Sequence, residues 1–245
     1  MQVFLRDYGI LKENVVQVVP DFYQMTFHAS NVFVIVEEEM TLIDTGFPAT
    51  TPRIVEFVRS LHRKPSDIKL IVLTHCHPDH AGGLREMKRI TGARVACHRA
   101  DISDTGAPLP FPRAVQRTLE LRPLAGLRAR LGVAPDEVDI QLQGGEILEP
   151  LGGLKVIHTP GHTPGSVCLL FPKYRLLIAG DTLVRQGQGI VPARKAVSID
   201  AEQASRSAAV LEDENFDTIC FGHRLPLVGN AKDRLRAMIG RTAAD

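Results

Sequence analysis

Residues 68–83 read Ile68-Lys-Leu-Ile-Val-Leu-Thr-His-Cys-His-Pro-Asp-His-Ala-Gly-Gly83, and their reading decides both fold and chemistry. Residues 68–73 form a short apolar run, the pattern of a buried strand. Three imidazoles and a carboxylate follow within six residues: His75, His77, Asp79 and His80. Residues i and i+2 of an extended segment point the same way, so His75 and His77 can share one metal ion. The chain turns at Pro78, so Asp79 and His80 can face a second ion nearby. Imidazole and carboxylate donors suit zinc, iron or manganese without a thiolate. A polar turn with incidental histidines would not gather four such side chains in six positions. Alternation directs Cys76 away from the ions and into packing.

Working outward, residues 31–36 and 40–44 read as a hairpin around Glu37-Glu38-Glu39. Residues 50–62 carry Ile54, Phe57, Val58 and Leu61 at helical spacing, with Pro52 suited to a first turn. Beyond the histidine stretch, a helix is expected over 84–90 and a strand over 93–97. The second half repeats this order. Residues 166–171 and 175–179 read as a hairpin ending in Gly180-Asp181-Thr182. A helix over 201–212 and a strand over 218–221 follow, and the strand ends in Gly222-His223. Each half thus reads hairpin, Asp, helix, strand, His. This weak duplication predicts an α/β fold in which two sheets pack face to face with helices outside. The Asp and His residues sit at strand ends, where loops from different strands converge. His162 lies in Thr159-Pro-Gly-His-Thr-Pro-Gly165, a turn that can hold backbone close to an ion.

Composition bounds the rest. The chain has 245 residues, 44% hydrophobic and 23% charged, with a formal net charge of +1. That charge excludes a strong electrostatic drive toward nucleic acid or anionic membrane. No apolar run approaches the roughly 18 residues of a spanning helix. The first residues lack a charged-then-apolar signal pattern. Cys76, Cys97, Cys168 and Cys220 are scattered, which argues for reduced thiols and a cytoplasmic protein. A single domain is expected over 1–245. It is interrupted at about 101–139 by five prolines and a helical stretch over 114–131. Long insertions of this kind serve as lids or substrate walls; Leu109 and Phe111 would supply apolar surface. Four histidines remain. His62 ends a helix, and His158 sits at a strand end in the core. His98 begins the loop to the insertion, where it can line the site. His28 reads as a surface histidine, although an early loop can reach the metals.

In combination, His75-Cys-His-Pro-Asp-His80 resembles the HxHxDH signature of the metallo-β-lactamase superfamily, and the resemblance extends over about residues 31–223. His162, Asp181 and His223 look like the family's later ligands, in the family's order. The resemblance implies a four-layer αβ/βα sandwich built from two similar β/α halves, with metals between the sheet edges. It implies His75, His77 and His162 at one metal, Asp79, His80 and His223 at the other, and Asp181 bridging both. Two divalent ions are expected, zinc first, with Fe, Mn or Co also compatible with these donors. Such a pair would acidify a shared water, and the bridging hydroxide would attack a carbonyl or phosphorus. Asp79 and Asp181 are the expected catalytic residues, Asp79 orienting the water or shuttling its proton. Asp44, in Leu42-Ile-Asp-Thr-Gly46, looks like the family's early aspartate. A carboxylate there can accept the N–H of a ligand histidine and fix its tautomer. Thr163 is a second candidate for such support.

Four comparisons within the family narrow the substrate. True metallo-β-lactamases commonly use Cys, or a different second site, where this chain has Asp181, so antibiotic hydrolysis is at best a side activity, as is phosphotriester hydrolysis. Glyoxalase II enzymes share all seven ligands, but their well-known forms add a helical C-terminal domain, and here 22 residues follow His223. Acyl-homoserine lactonases resemble the chain in size, ligands and the 159–165 turn. Well-studied members place a tyrosine three residues after the bridging aspartate, where this chain has Val184. Nucleases of the family append a further domain. The expectation is a dinuclear zinc hydrolase acting on a small-molecule ester, lactone or thioester, with no nucleic-acid or membrane partner. The alternative is a mononuclear iron dioxygenase acting on glutathione persulfide; one iron against two zincs per chain separates them.

Overall fold

Residues Asn31–Ile35 form a strand buried at every position, and its two faces enter different cores. Val32 and Val34 join a cluster with Ile54, Phe57 and Val58 of the following helix. Phe33 and Ile35 point the opposite way, into a cluster with Leu169 and Phe171 of the second half. Residues Val167–Phe171 do the same: Val167, Leu169 and Phe171 share that central cluster, while Cys168 and Leu170 join a third. The period of 2 along each strand therefore specifies three stacked interfaces. Phe22 stands at the middle one, its ring 5.7 Å from that of Phe33 and 5.6 Å from that of Phe171. Burying each such side chain fully contributes about 1.5–3 kcal/mol.

The structure is a computed structural model describing residues 14–102, 132–193 and 195–242. One sheet runs in spatial order from β1 (Val15–Val19) through β2 (Phe22–Thr26), β3 (Asn31–Ile35), β4 (Met40–Ile43), β5 (Ile68–Val72) and β6 (Arg94–His98) to β7 (Ile140–Leu142). The other comprises β8 (Ile147–Leu148), β9 (Leu154–His158), β10 (Val167–Phe171), β11 (Leu176–Ile178), β14 (Thr218–Cys220) and β15 (Leu227–Val228). Between them in sequence lies a separate hairpin, β12 (Leu183–Gln186) with β13 (Gly189–Pro192). Helices α1 (Thr51–Ser60), α2 (Pro78–Ala81) and α3 (Leu84–Thr91) belong to the first half. Helices α4 (Ala201–Val210) and α5 (Ala231–Thr242) belong to the second. Ile54, Leu84 and Met87 cover the outer face of the first sheet, and Ala208, Leu235 and Met238 that of the second. The layers are thus helix, sheet, sheet, helix: the expected α/β sandwich.

The duplication is real in the pairing. β3 and β4 are antiparallel, with Phe33 opposite Ile43, and β5 lies parallel to β4 with Ile71 beside Leu42. In the second half β10 and β11 are antiparallel, with Leu169 opposite Ile178, and β14 lies parallel to β11 with Cys220 beside Ile178. The helix between each parallel pair makes the crossover. Local signals set the helix ends. Pro52 occupies the first turn of α1, and the Asp200 carboxylate caps α4 by accepting the Gln203 N–H at 2.9 Å. The helix expected to 212 ends at Val210 and tightens into a 3-10 turn over Leu211–Asp213.

Two hairpins were not expected from sequence, β1–β2 and β12–β13. At the insertion, Ile102 pairs with Val133, so its two ends meet. The helical stretch over 114–131, with Leu109 and Phe111, lies outside the described residues. All four cysteines are buried and free. No helix among the described residues is long and apolar enough to cross a membrane.

Candidate metal centre

The histidine stretch leaves the end of β5 at the same sheet edge where β4 ends in Asp44. His77 is extended (φ −62°, ψ 147°) and precedes the one-turn helix α2, with Pro78 in its first turn. His77 therefore leaves extended backbone, while Asp79 and His80 leave helical backbone. His162 comes from the loop between β9 and β10, Asp181 from the end of β11, and His223 from the end of β14. All seven expected ligands converge. His75, His77 and His162 form one group whose donor atoms lie within 4.8 Å of one another. Asp79, His80 and His223 form a second such group, and His75, His80 and Asp181 a third. The Asp181 carboxylate touches both sides. Its Oδ2 lies 3.6 Å from His162 Nε2 and 3.0 Å from His223 Nε2, and its Oδ1 lies 3.5 Å from His80 Nε2.

The supporting hydrogen bonds fix which nitrogens face the centre. Asp44 Oδ2 lies 2.8 Å from His80 Nδ1, so that nitrogen carries the proton and Nε2 presents its lone pair. Asp44 also accepts the Thr74 hydroxyl at 2.7 Å and the Thr74 N–H at 2.8 Å. With its own hydrogen committed, the Thr74 oxygen accepts from His75 Nδ1 at 3.1 Å. One buried carboxylate thus orients two histidines, one directly and one through Thr74. His75 Nε2, His80 Nε2 and Asp181 Oδ1 are buried and have no hydrogen-bond partner. Buried polar atoms left so are costly unless a ligand meets them. Imidazole nitrogens and a carboxylate oxygen in that state are the donor set of a divalent transition metal, so the residues fit the group.

The electrostatics agree. Burial holds the His75 pKa well below its ordinary value, and the neighbouring histidines reinforce this. Burial likewise lowers His162 to about 3, against the pull of Asp181. Burial opposes charge on His80 too, but Asp44, then Asp181 and Asp79, outweigh it and raise its pKa to about 9. Burial would raise the Asp181 carboxyl, yet the His223 hydrogen bond and the charges of His80, His162 and His223 hold it well below the carboxylate range. His75 and His162 are thus neutral donors, and the Asp44, Asp79 and Asp181 field favours a cation near His80 Nε2. Burial, followed by the Asp101 charge, pushes the Cys76 thiol well above its usual range, which leaves it an inert packing group.

Sequence reading missed two residues of this framework, Thr74 and Asp101. Asp101 lies where the insertion was expected to begin, yet its carboxylate is buried in the core. Oδ2 accepts the Cys76 N–H at 3.0 Å and the Thr163 hydroxyl at 2.7 Å, and Oδ1 accepts the Gly165 N–H at 2.6 Å. It ties the His75–His77 segment to the His162 loop. Thr163 therefore supports the loop through Asp101 and makes no hydrogen bond to a ligand histidine. The available signal was position: Asp101 follows the end of β6, as Asp44 follows β4. His98 does not line the centre. It is buried, with its ring 3.9 Å from that of His158. His28 is exposed and lines the cavity above the donors.

Two glycines are needed for close approach. A Cβ on Gly222 would stand 2.0 Å from Asp181 Oδ1, and one on Gly161, whose φ is +130°, would stand 2.1 Å from the Ala204 nitrogen. The donors open onto a cavity of about 670 Å³, whose walls include Phe27, Val184 and Val197.

Comparison with known proteins agrees with this geometry. The sequence model of the metallo-beta-lactamase superfamily matches residues 25–223. The protein YobT of Bacillus subtilis (strain 168) is 30% identical over 219 residues, covering 82% of this chain and 87% of that protein. A hydroxyacylglutathione hydrolase of Rhodopseudomonas palustris (strain BisB18) is 30% identical over 152 residues. That match spans 60% of this chain and 48% of the enzyme. Among solved structures, a metallo-beta-lactamase family protein of Thermus thermophilus superposes with a TM-score of 0.71 at 24% identity, covering 93% of this chain and 81% of that one. Fold, convergent donors and family match lead to one assignment: the chain belongs to the metallo-beta-lactamase superfamily and is a metal-dependent hydrolase.

Proposed function

We propose that the chain hydrolyses a small ester, lactone or thioester using two divalent ions, zinc by donor chemistry. His75, His77 and His162 would hold one, Asp79, His80 and His223 the other, and Asp181 both. The observation that carries this reading is the contact of one carboxylate, Asp181, with histidines of both groups, beside three buried donor atoms that lack a partner. When bound, such ions supply Lewis acidity to polarise a carbonyl and to lower the pKa of water.

The protein's own groups do the rest. Asp44 and Thr74 hold the two histidines so that Nε2 lone pairs face inward, which leaves nothing to reorganise during turnover. Asp79 and Asp181 both line the cavity, and Asp79, with its side chain 25% exposed against 12% for Asp181, is the more open of the two to proton exchange with it. Phe27, Val184 and Val197 give the acyl portion an apolar wall, and the cavity volume suits a small molecule. Hydroxyacylglutathione hydrolases among the relatives support the thioester class.

Elemental analysis of the purified protein, coupled to an ester, lactone and thioester panel, tests this. Two zincs per chain with hydrolysis support it. One iron per chain, with oxygen consumed in the presence of glutathione persulfide, would replace it with the dioxygenase reading.

A further inference from the structure

Arg224 follows His223 directly and lines the same cavity. Its backbone is left-handed, with φ at 72°, a conformation that favours glycine or asparagine over a long side chain. The chain holds it there firmly. Its carbonyl accepts from Asn31 Nδ2 at 2.6 Å and from Gln24 Nε2 at 2.9 Å, and both side chains are fully buried. The next two carbonyls, of Leu225 and Pro226, accept from Arg185 Nη1 at 3.2 and 2.7 Å. Side chains from β2, β3 and β12 thus clamp three successive carbonyls, and the residue set at the cavity wall is an arginine.

The guanidinium itself has no task in the framework. Among the described residues it makes no hydrogen bond and lies within 4 Å of no carboxylate, whereas Arg63, Arg85 and Arg236 each have an acidic partner. Asp79 and Asp181, the acids of the cavity, are engaged by His80 and His223 instead. An unpaired guanidinium on a firmly held backbone, exposed at a cavity with apolar walls, is a receptor for an oxyanion attached to an apolar chain. Among the described residues Arg224 is the one Arg or Lys side chain that lines the cavity.

We propose that Arg224 selects substrates carrying a carboxylate remote from the scissile carbonyl, binding it through its fork of N–H donors. This rests on the hydrolase reading and specifies its substrate class.

The test compares two esters of equal length, mono-p-nitrophenyl adipate and p-nitrophenyl hexanoate, on metal-replete protein. The wild type should favour the adipate in kcat/KM. Arg224→Gln should shrink the adipate-to-hexanoate ratio by about 10–100-fold, the scale of a charge-assisted pair. Arg224→Lys should restore part of the ratio. Arg224→Gly, which relieves the backbone, should behave as Arg224→Gln. A wild-type ratio near 1, or equal losses on both esters in Arg224→Gln, overturns the proposal. Preference for the ester of 6-phosphonohexanoate over the adipate overturns the carboxylate assignment. If neither ester is cleaved, the hydrolase reading is decided by the ester, lactone and thioester panel, and Arg224 is judged by calorimetry with adipate and hexanoate. Tighter binding of adipate that disappears in Arg224→Gln then supports it, and equal binding in both proteins refutes it.

Discussion

Replacing Gly222 by alanine should disable the metal centre through one methyl group. The φ of Gly222 lies outside the left-handed region, so alanine is acceptable to the backbone and the effect is steric. The new carbon would stand 2.0 Å from Asp181 Oδ1, 2.9 Å from His80 Cε1 and 3.0 Å from the Gly180 carbonyl oxygen. Ordinary contact begins at 3.4 Å, so the carboxylate oxygen must retreat by 3.4 − 2.0, about 1.4 Å. Metal–ligand bonds tolerate deviations of only about 0.2 Å. The displaced oxygen belongs to the side chain that touches both donor groups. Misplacing reacting groups by about 1 Å costs roughly 100-fold in rate, so kcat/KM should fall by at least that factor. Swinging one side chain off its rotamer costs only about 0.5–1.5 kcal/mol, so the fold should persist. Elemental analysis after metal loading and dialysis, thermal unfolding and ester hydrolysis together read the outcome. A variant that holds the wild-type metal content at the wild-type rate refutes the placement of Asp181 against Gly222.

Asp181→Asn should weaken retention of both metals and lower turnover by about 10²–10³-fold with the circular-dichroism spectrum preserved; full metal content at full rate would remove its bridging role. Asp44→Ala releases His80 and Thr74 together, and should lower metal affinity by about 10–100-fold, measured by competition with a chromophoric chelator. Unchanged affinity would discard the orienting chain from Asp44 through Thr74 to His75. His98 supplies a pH dependence. Burial first, then the charge of His158, lowers its pKa from 6.5, so the folded state resists a proton that the unfolded state accepts. Its contribution to stability is full above the unfolded value near 6.5 and is lost as pH falls toward the lowered folded value. Urea midpoints at pH 7.5 and 5.5 should therefore differ less in His98→Asn than in the wild type; an equal difference would show that His98 does not titrate this way.

The legible parts of the sequence were those where one residue type repeats with a period or crowds into a few positions. β3, β5, β10 and α1 follow from apolar runs and helical spacing, because burial on one or both faces demands them. The seven candidate ligands were legible because their chemistry is dense and their order is that of the strand ends. β1 and β2 escaped because Gln17 and Gln24 interrupt their apolar pattern. Gln24 is nonetheless fully buried, since its amide serves the Arg224 carbonyl 200 positions away. Asp101 escaped for the same reason: its partners lie 25, 62 and 64 residues along the chain, and no local spacing reports them. Polar groups buried for long-range pairing carry no periodic signature, so the scaffold around a site is harder to read than the site.

The pairing of Ile102 with Val133 closes a neck in the chain. Everything between these positions departs from and returns to adjoining points, one residue beyond the Asp101 anchor. Closure at the neck means that the distance between the two ends does not depend on what joins them, and lengthening such a segment costs little. The length of chain joining these two points can therefore change as a cassette, while the register of the loops that carry the candidate ligands is kept by a carboxylate that stays outside the exchange.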